Sequence, residues 1–518
     1  MIRPSLRPWV CLLAGAFAAL GTPPLRSTLA PLAAQIVVAL MLFEPDAEAD
    51  RRSRVPGALR GMLFGVGVNF VSLRFVPDVV HTFTSLPAFA GYLALLLLAL
   101  GQSLAWAVTG VVTRALHRLR VPFPLAFAFA VFAGTFVPAV FPWTMVSGLS
   151  AHPLLVQTAD IFGERGVAVL WALICAGLVD ALAGKRPGSL VLALAASAFM
   201  LRHGLVAGEA VDRAREASPH AKIALVQPGT DAKERWNEDL QAHIVERLHR
   251  LTREAEGKGA QLTIWPEAAY PFMITHGARK DEPGPRGILG DGAHGPVVAG
   301  LILRDMGNTY NSALLDDAGT LSQPYDKMRL LAFGEQVPLA DQIPWLRKTF
   351  TRDIALAPGE HNVLLRHGPF SLGVLNCFED TLTASGRDAA RQGERDLANL
   401  LVNVTNDAWF YGSIEPDLHE QLSVVRAVET RLDFVRAVNR GPLSLVSASG
   451  KLLVRQKLDE PNVLLLDVAL YDHEPTLYVR FGDGPMGLLF ALVVAYGIVR
   501  TLRHGRTVTA GKTADASA

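Results

Sequence analysis

Long apolar runs dominate this chain and restrict what it can fold into. Most of them approach the roughly 20 residues that an α-helix needs to cross a bilayer. They occur at 9–22, 27–43, 57–76, 87–113, 123–141, 165–183, 189–208 and 485–501. The first two runs are short, so a re-entrant hairpin is the alternative to two full spans. Only 19% of all residues are charged, and the pattern predicts a membrane α-helical bundle with about eight spans.

Basic residues occupy alternate loops between these runs. Lys and Arg cluster at 3–7, 51–54, 114–120, 185–186 and 500–506. The intervening loops near 77–86 and 142–164 are almost free of them. Because basic loops stay in the cytoplasm, both termini are predicted to be cytoplasmic. A signal peptide is the alternative for the first run, but no small-residue cleavage site follows it.

Charged residues concentrate in one long segment, which predicts a soluble insert on the opposite side of the membrane. Four parts are expected: an N-terminal bundle of about seven helices (1–208), the insert (209–484), a closing span (485–501) and a cytoplasmic tail (502–518). Gly65 and Gly67 lie in an apolar run without the rest of a phosphate-binding motif. They are interpreted as sites of close helix packing.

Strand-like and helix-like patterns alternate within the insert. Residues 234–257 and 415–438 have helical spacing. Strands are indicated by K-I-A-L-V-Q, L-T-I-W, V-V-A-G-L-I-L-R, F-S-L-G-V-L and L-L-V-N-V-T. A hairpin is expected to turn at Ser449-Gly450. This alternation predicts a layered α/β domain with functional groups at strand ends.

Three polar residues follow strand-like runs and suggest chemistry. Glu267 ends L-T-I-W-P-E, Lys327 lies in Y-D-K-M-R-L, and Cys377 follows F-S-L-G-V-L-N. The other two cysteines, Cys11 and Cys175, lie inside apolar runs. A lone free cysteine is usually a small buried apolar residue. A thiol with a carboxylate and an ammonium, however, has the composition of a nucleophile with its base and oxyanion partner.

Several other classes of function lack support in the sequence. The histidines are scattered without metal-ligand spacing, and neither a G-x-S-x-G motif nor a Walker loop occurs. The net charge is only +1, and no basic stripe suggests nucleic-acid binding. Three cysteines, two of them in apolar runs, argue against a disulfide framework. No metal, cofactor or nucleic-acid partner is therefore predicted.

Four motifs give the insert a family resemblance: W-P-E, Y-D-K-M-R-L-L-A-F-G-E-Q-V-P, N-C-F-E and N-D-A-W-F. Together they resemble the nitrilase superfamily, and the flanking spans narrow the resemblance to the bacterial apolipoprotein N-acyltransferase family. The resemblance covers nearly the whole chain. It implies a four-layer α-β-β-α domain in the periplasm, carried by a multi-pass protein of the inner membrane. It also implies a phospholipid acyl donor and a diacylglyceryl apolipoprotein acceptor.

The resemblance assigns roles to particular residues. Cys377 would be the nucleophile, Glu267 the general base and Lys327 the oxyanion stabiliser. A neighbouring ammonium is expected to lower the pKa of the thiol.

Supporting residues would surround this triad. Glu335 matches a second glutamate near the lysine, and its alternative is a surface carboxylate. Trp236 matches a mobile-loop tryptophan, or else belongs to an apolar helix face. Glu379 is expected to cap a helix or hold the nucleophile's loop. Phe378 stands where some members carry tyrosine, so a hydroxyl role is in doubt here.

Two further pairs of residues have simpler interpretations. Turn formation explains Asn406 and Asp407, and helical spacing pairs Arg426 with Glu429.

Three functions compete at this point. The first is N-acyl transfer, the last step of lipoprotein maturation, through a thioester on Cys377. The second is a membrane-bound nitrilase-type amidohydrolase, which would use water instead of an amine. The third is an inactive lipid-binding scaffold, against which the intact triad argues.

Overall fold

The chain folds into two compact units. A computed structural model describes residues 3–43, 55–84, 86–142, 144–231, 234–290, 292–332, 334–336, 342–343, 356–393 and 396–515. One unit comprises Met1–Pro77, Ala88–Leu205 and Phe481–Ala518, and the other comprises Asp78–Pro87 and Val206–Arg480. The first unit contains most of the apolar runs, and the second contains most of the charged insert.

Ten α-helices of the described residues begin before the insert. They are α1 (Arg7–Ala18), α2 (Leu29–Leu42), α3 (Val55–Ser72), α4 (Val76–Phe83), α5 (Ala88–Gln102), α6 (Leu104–Arg118), α7 (Phe123–Gly134), α8 (Met145–Leu149), α9 (Ala159–Leu182) and α10 (Pro187–Ala217). Close backbone contact between α1, α3 and α6 depends on glycine. A Cβ added at Gly67 would lie 2.1 Å from the Leu12 carbonyl oxygen, and one at Gly61 would lie 1.9 Å from that of Trp106. The packing interpretation of this glycine run is confirmed.

Fewer helices are long enough to cross a bilayer than the apolar runs predict. In the described part of the chain, four qualify by length and composition: Ala88–Arg118, Ala159–Leu182, Pro187–Ala217 and Gly484–His504. A fifth arises if Pro56–Ser72 and Val76–Thr82, bent by 53°, form one broken span.

The predicted count of about eight spans is therefore not confirmed. Three apolar helices, Arg7–Gly21, Leu29–Leu42 and Phe123–Gly134, are shorter than 18 residues. A 14-residue helix extends about 21 Å, which is less than the ~30 Å hydrocarbon core. Two of the apolar runs, 27–43 and 123–141, extend beyond the helices α2 and α7 that form within them.

Two sheets and a small hairpin form the centre of the second unit. The strands are β1 (His220–Gln227), β2 (Leu262–Ile264), β3 (Met273–Thr275), β4 (Val297–Arg304), β5 (Thr309–Asp317), β6 (Thr320–Leu321), β7 (Tyr325–Asp326), β8 (Leu364–His367), β9 (Phe370–Asn376), β10 (Arg391–Gln392), β11 (Asp396–Leu397), β12 (Leu400–Thr405), β13 (Phe434–Val438), β14 (Leu443–Val446), β15 (Leu452–Gln456) and β16 (Asn462–Ala469). The larger sheet has the order β16-β1-β2-β4-β5-β6, with β3 and β7 paired to β4 and β5. The smaller sheet has the order β15-β14-β13-β12-β9-β8, and β10 pairs with β11.

The other α-helices in the described part of the chain cover these sheets or follow them in the sequence. They are α11 (Gln241–Gly257), α12 (Ser385–Ala389), α13 (Glu415–Thr430), α14 (Leu477–Phe481) and α15 (Gly484–Asp515). Successive strand residues face opposite sides of a sheet. Ile223 of β1 and Val374 of β9 share one buried cluster between the sheets. Their neighbours Ala224 and Leu375 pack on the outer faces, in clusters that include residues of α11 and α13 respectively. The predicted four-layer α-β-β-α sandwich is confirmed.

Two predicted helices are shorter in the structure. The helix expected over 415–438 ends at Thr430, because Arg431 adopts a left-handed conformation with φ 58°. Residues Phe434–Val438 instead form β13, which pairs in parallel with β12. The helix expected over 234–257 begins only at Gln241, after two short 3₁₀ turns.

Other local predictions are confirmed. The hairpin at Ser449-Gly450 joins β14 to β15. Arg426 and Glu429 form a fully buried ion pair in α13, with 3.1 Å between Nη1 and Oε2.

Helix α10 continues without interruption from an apolar segment into the second unit. Near its end, Arg215 Nε lies 3.1 Å from Oδ2 of Asp433, whose side chain is fully buried. One turn earlier, Asp212 accepts a hydrogen bond of 2.7 Å from the Ser449 hydroxyl. The last turns of this helix are therefore part of the sandwich unit.

Candidate active site

The structure brings the predicted triad to one place. Glu267 lies three residues after β2, Lys327 directly follows β7, and Cys377 directly follows β9. Nζ of Lys327 lies 3.3 Å from Oε1 of Glu267. Asn311 of β5 donates to the same carboxylate at 2.7 Å and accepts from Asn376, the neighbour of Cys377, at 3.1 Å. Residues about 110 positions apart in the chain thus form one connected site.

Lys327 is a buried ammonium between two carboxylates. Its side chain is only 1% exposed, and Nζ donates to Oε1 of Glu335 at 2.7 Å and to Glu267. Burial by itself lowers the pKa of this lysine, but Glu335 and Glu267 outweigh that effect and hold the pKa well above its usual value. Lys327 therefore remains charged and is suited to stabilise negative charge rather than to accept a proton.

Glu335 is fixed on this lysine. Its second oxygen, Oε2, accepts a hydrogen bond of 2.8 Å from the Leu331 backbone N–H. The carboxylate is thus held inside the site from the lysine's own loop, rather than free on the surface.

Cys377 occupies a strained turn at the end of β9. Its φ of 55° lies in the left-handed region, which a residue other than glycine rarely adopts. Its carbonyl oxygen accepts a hydrogen bond of 2.8 Å from the Asn403 side chain. It also begins the 3₁₀ helix Cys377–Thr381. The turn places the thiol at the strand end, in a partly exposed position.

The surroundings of Cys377 favour the protonated thiol over the thiolate. Burial raises the pKa of Cys377, and the Glu267 carboxylate raises it further. Lys327 lowers it, as the sequence analysis expected, but the total effect leaves the pKa well above its ordinary value. A thiol in this state needs a base to become nucleophilic.

Glu267 has the geometry of a fixed base. The residue is 6% exposed. Oε1 accepts from Asn311 and Lys327, and Oε2 accepts from the Asn406 backbone N–H at 2.9 Å. Because a carboxylate offers about four lone-pair sites, one site on Oε2 remains available for a proton. Asn406 therefore does more than form a turn.

Glu379 holds the nucleophile's loop against the lysine's loop. Its carboxylate accepts hydrogen bonds from the Tyr325 hydroxyl at 2.7 Å and from the N–H groups of Met328, Arg329 and Asn376 at 2.8–2.9 Å. Burial raises the pKa of this carboxyl. The four donors occupy the group fully, which agrees with a holding role.

Of two further predicted residues, Phe378 and Trp236, the structure describes only the side chain of Phe378. Nζ of Lys327 lies 5.4 Å from the centre of the Phe378 ring, within range of a cation–π interaction. The phenylalanine thus supports the lysine without a hydroxyl. Trp236 ends the 3₁₀ turn Glu234–Trp236, and its side chain lies outside the described part of the structure.

Sequence reasoning missed two contributors to this geometry. Asn311 is a buried amide in β5, T-Y-N-S-A-L-L-D-D, where several other residues are polar, so nothing in the local sequence singles it out. Gly300 of β4 lies directly under the glutamate's turn, where an added Cβ would be 2.1 Å from the Pro266 carbonyl oxygen. The close approach of this turn to β4 therefore requires glycine.

A buried polar cluster adjoins the site. Potential ligand atoms of Asp407, Glu415 and His419 lie within 4.8 Å of one another, so distance alone would permit a metal ion. Both ring nitrogens of His419 face carboxylates, Asp407 at 3.1 Å and Asp380 at 2.8 Å. Burial lowers the pKa of this histidine, but Asp380 in particular outweighs it and raises the pKa to about 10. A doubly protonated ring has no lone pair for a metal, so the cluster fits an ion-paired network.

The two-sheet sandwich and its Glu-Lys-Cys centre define the class of protein. A family profile described as carbon-nitrogen hydrolase matches residues 222–476. This span contains both sheets and all three triad residues. The second unit is therefore a nitrilase-like domain of the carbon-nitrogen hydrolase class.

Further comparisons include the apolar helices. A profile described as the apolipoprotein N-acyltransferase N-terminal domain matches residues 14–177. The chain is 30% identical over 496 residues to an apolipoprotein N-acyltransferase of Geobacter metallireducens, covering 92% of this chain and 91% of that protein. An enzyme of the same name from Haemophilus ducreyi is 26% identical, with 85% and 86% covered. One from Rhizobium leguminosarum bv. trifolii is 28% identical, with 88% of each chain covered. The chain belongs to the apolipoprotein N-acyltransferase family.

Proposed function

We propose that this protein transfers an acyl group from a phospholipid to the α-amine of the diacylglyceryl-cysteine that begins an apolipoprotein. This is the last step of lipoprotein maturation. The observation that carries the proposal is the buried Lys327–Glu267 pair, connected through Asn311 to the neighbour of Cys377, in a chain that also has helices long enough to cross a bilayer. Membership of the family supports an acyltransferase over the other two candidates.

The first half-reaction makes a thioester. Glu267 accepts the proton of the Cys377 thiol while the sulfur attacks the ester carbonyl of the phospholipid. The carbonyl oxygen becomes an oxyanion, which the Lys327 ammonium stabilises. The intermediate then collapses, the carbon–oxygen bond breaks, and the lysophospholipid leaves as an alcohol with the proton returned by Glu267.

The second half-reaction uses the same groups. The lipoprotein amine attacks the thioester carbonyl, and Glu267 accepts a proton from the amine. Lys327 again stabilises the oxyanion before the carbon–sulfur bond breaks. The departing sulfur regains its proton, and the product is an amide on the lipoprotein. No metal or cofactor takes part in this scheme.

Hydrolysis is the second candidate, since water attacking the same thioester would yield a free fatty acid. The observation that favours this candidate is the match of residues 222–476 to a carbon-nitrogen hydrolase profile. A bilayer location favours transfer, because both the phospholipid and the lipid-anchored acceptor reside in the membrane.

The proposal includes an arrangement in the inner membrane. Residues 1–208 would form the N-terminal bundle, and 209–484 the periplasmic catalytic domain. Residues 485–501 would return the chain to a cytoplasmic tail, 502–518. About eight crossings would place both termini in the cytoplasm. The alternating basic loops support this orientation.

Mass spectrometry tests the function directly. Purified protein incubated with phospholipid should gain one acyl group on Cys377, and addition of a diacylglyceryl peptide should move it to the peptide amine. Cys377→Ala should gain none while remaining folded. Acyl label on another residue would contradict the thioester, and free fatty acid without acylated peptide would favour the hydrolase.

A further inference from the structure

We infer that His419 is a positioning residue for acyl transfer, because its ring ties the turn of Cys377 to the loop that holds Glu267. This inference rests on the proposed function. His419 lies in α13, outside every motif on which the family resemblance was based, and it is 3% exposed. Its two ring nitrogens contact two different loops of the site.

One contact reaches the nucleophile's turn. Nε2 of His419 lies 2.8 Å from Oδ1 of Asp380. Asp380 belongs to the same 3₁₀ helix as Cys377, three residues further along. Movement of this carboxylate would therefore move the strained turn that aims the thiol.

The other contact reaches the loop on the base. Nδ1 of His419 lies 3.1 Å from Oδ1 of Asp407. Asp407 follows Asn406, whose backbone N–H donates to Oε2 of Glu267 at 2.9 Å. The ring thus connects the two loops on whose relative position the transfer of the thiol proton depends.

The chemistry of the contacts requires a charged ring. Ionised carboxylates only accept hydrogen bonds, so a ring bonded to two of them donates from both nitrogens and is an imidazolium. Arg436 of β13 adds a second cation, with Nε 3.1 Å from Oδ2 of Asp380. The charges of His419 and Arg436 then balance those of the buried carboxylates of Asp380 and Asp407.

A buried ion-pair network contributes little net free energy to holding a helix in place. Buried ion pairs lose much of their attraction to desolvation, and apolar residues of similar size often stabilise a fold as well. What an apolar residue cannot supply is directional contact with two separate loops at once. The arrangement therefore fits a geometric requirement of the site.

His419→Gln tests this role. The variant keeps the approximate size but cannot donate to both carboxylates as a cation. The measurement is the single-turnover rate of thioester formation per reactive Cys377, with reactive thiols counted by exhaustive alkylation. We expect a rate about 100-fold lower, the scale of a misplacement near 1 Å, with an unchanged half-saturating phospholipid concentration.

His249→Gln is the matched control. His249 is 5% exposed, lies in α11, and its Nε2 donates to the Gly287 carbonyl at 2.8 Å. Its loss should lower the melting temperature without changing the rate per reactive thiol. A similar outcome for His419→Gln, with a rate within threefold of wild type, would overturn the inference.

The double variant His419→Gln/Asp407→Asn tests the role if His419→Gln alone fails to fold. It removes one cation and one anion together, so the buried charge stays balanced. Its rate per thiol should be as low as that of the single variant. A wild-type rate in this protein, or its failure to fold as well, would reduce His419 to a purely structural residue and overturn the positioning role.

Failure of the proposed function is distinguishable. If wild-type protein forms no thioester, acyl transfer fails, and the position of the base is tested by alkylation with neutral iodoacetamide at fixed pH. Slower alkylation in His419→Gln than in His249→Gln would still support the positioning role, whereas equal rates would overturn it.

Discussion

At the scale of single residues, the site combines a thiol whose pKa is raised, a carboxylate that we propose as the base, and an ammonium held in its charged form. Burial and the Glu267 carboxylate both raise the pKa of Cys377. Glu335 and Glu267, the two carboxylates next to Lys327, keep this lysine charged. Glu267 and Lys327 are therefore proposed to have different roles, and removing each should change the rates of the two half-reactions differently.

Glu267→Gln should slow thioester formation in a pH-dependent way. The variant lacks the base, but it also lacks a carboxylate that raises the pKa of Cys377, so that pKa should fall. Below the new pKa the thiolate fraction, and hence the rate, should rise about tenfold per pH unit. Single-turnover kinetics with labelled phospholipid at several pH values measure this. Glu254→Gln, at an exposed pair with Lys258, is the control, and a flat profile in Glu267→Gln would exclude the base role.

Lys327→Met should slow both half-reactions, because each passes through an oxyanion at the same carbonyl. The expected loss is about 10²- to 10³-fold for one oxyanion donor. Formation and breakdown of the thioester are measured separately, by pre-loading the enzyme before the acceptor is added. Lys451→Met, which removes only a surface pair with Asp212, should leave both rates unchanged. A slow first step with normal breakdown would argue against the assigned role.

The motifs predicted the triad residue by residue but not the residues that connect them. Glu267, Lys327 and Cys377 each end a strand-like run, and that local pattern is visible in sequence. Asn311 and His419 act through partners 65 and 39 positions away, Asn376 and Asp380. Asn311 and Asn376 become neighbours because the two sheets pack face to face, and His419 and Asp380 because α13 packs on the smaller sheet. No local pattern encodes either contact.

At the scale of elements, α13 shows how a sequence pattern can be overridden. Its predicted extension to residue 438 continued a helical spacing, but Arg431 ends the helix and Phe434–Val438 pairs with β12. The strand lies inside the smaller sheet, between β14, which follows it directly in the chain, and β12, which precedes α13. In the N-terminal part, the apolar run 123–141 is likewise longer than the helix that forms within it, Phe123–Gly134.

The first residue of α13 gives the fold a pH dependence. Burial, followed by the charge of Asp407, raises the pKa of Glu415 from 4.5 to about 8. Its Oε2 has no hydrogen-bond partner among the described protein atoms. Between about pH 4.5 and pH 8 the folded state holds a proton that the unfolded state has released. Stability therefore falls as the pH rises through this window.

Glu415→Gln should remove that slope. At pH 5 both proteins carry a neutral side chain and should melt at similar temperatures. At pH 8 the variant should be more stable, by on the order of a few kcal/mol. Thermal unfolding in detergent across this range measures the difference. A gap in melting temperature that stays constant with pH would contradict the assignment.

At the scale of the whole molecule, the alternating basic segments predict one orientation in the membrane. A cysteine at Ala47, just before the basic residues 51–54 in the sequence, should face the cytoplasm in a Cys-free background. A cysteine at Ala278, in the insert, should face the periplasm. A membrane-impermeant maleimide applied to intact cells with a permeabilised outer membrane should label only the second. The reverse labelling would invert the proposed topology.

Because α10 is continuous, the residue at which the chain is cut should decide whether the catalytic unit folds when it is expressed alone. A fragment trimmed at residue 218 would discard Arg215 and leave the buried Asp433 carboxylate without its cation, which is strongly destabilising. A fragment from Val206 to Arg480 would retain it. We expect the longer fragment to give more folded material on expression, measured by size-exclusion chromatography, and equal yields would contradict this. Recombination that exchanged membrane anchors between relatives would face the same boundary, because the last turns of the anchor already belong to the catalyst.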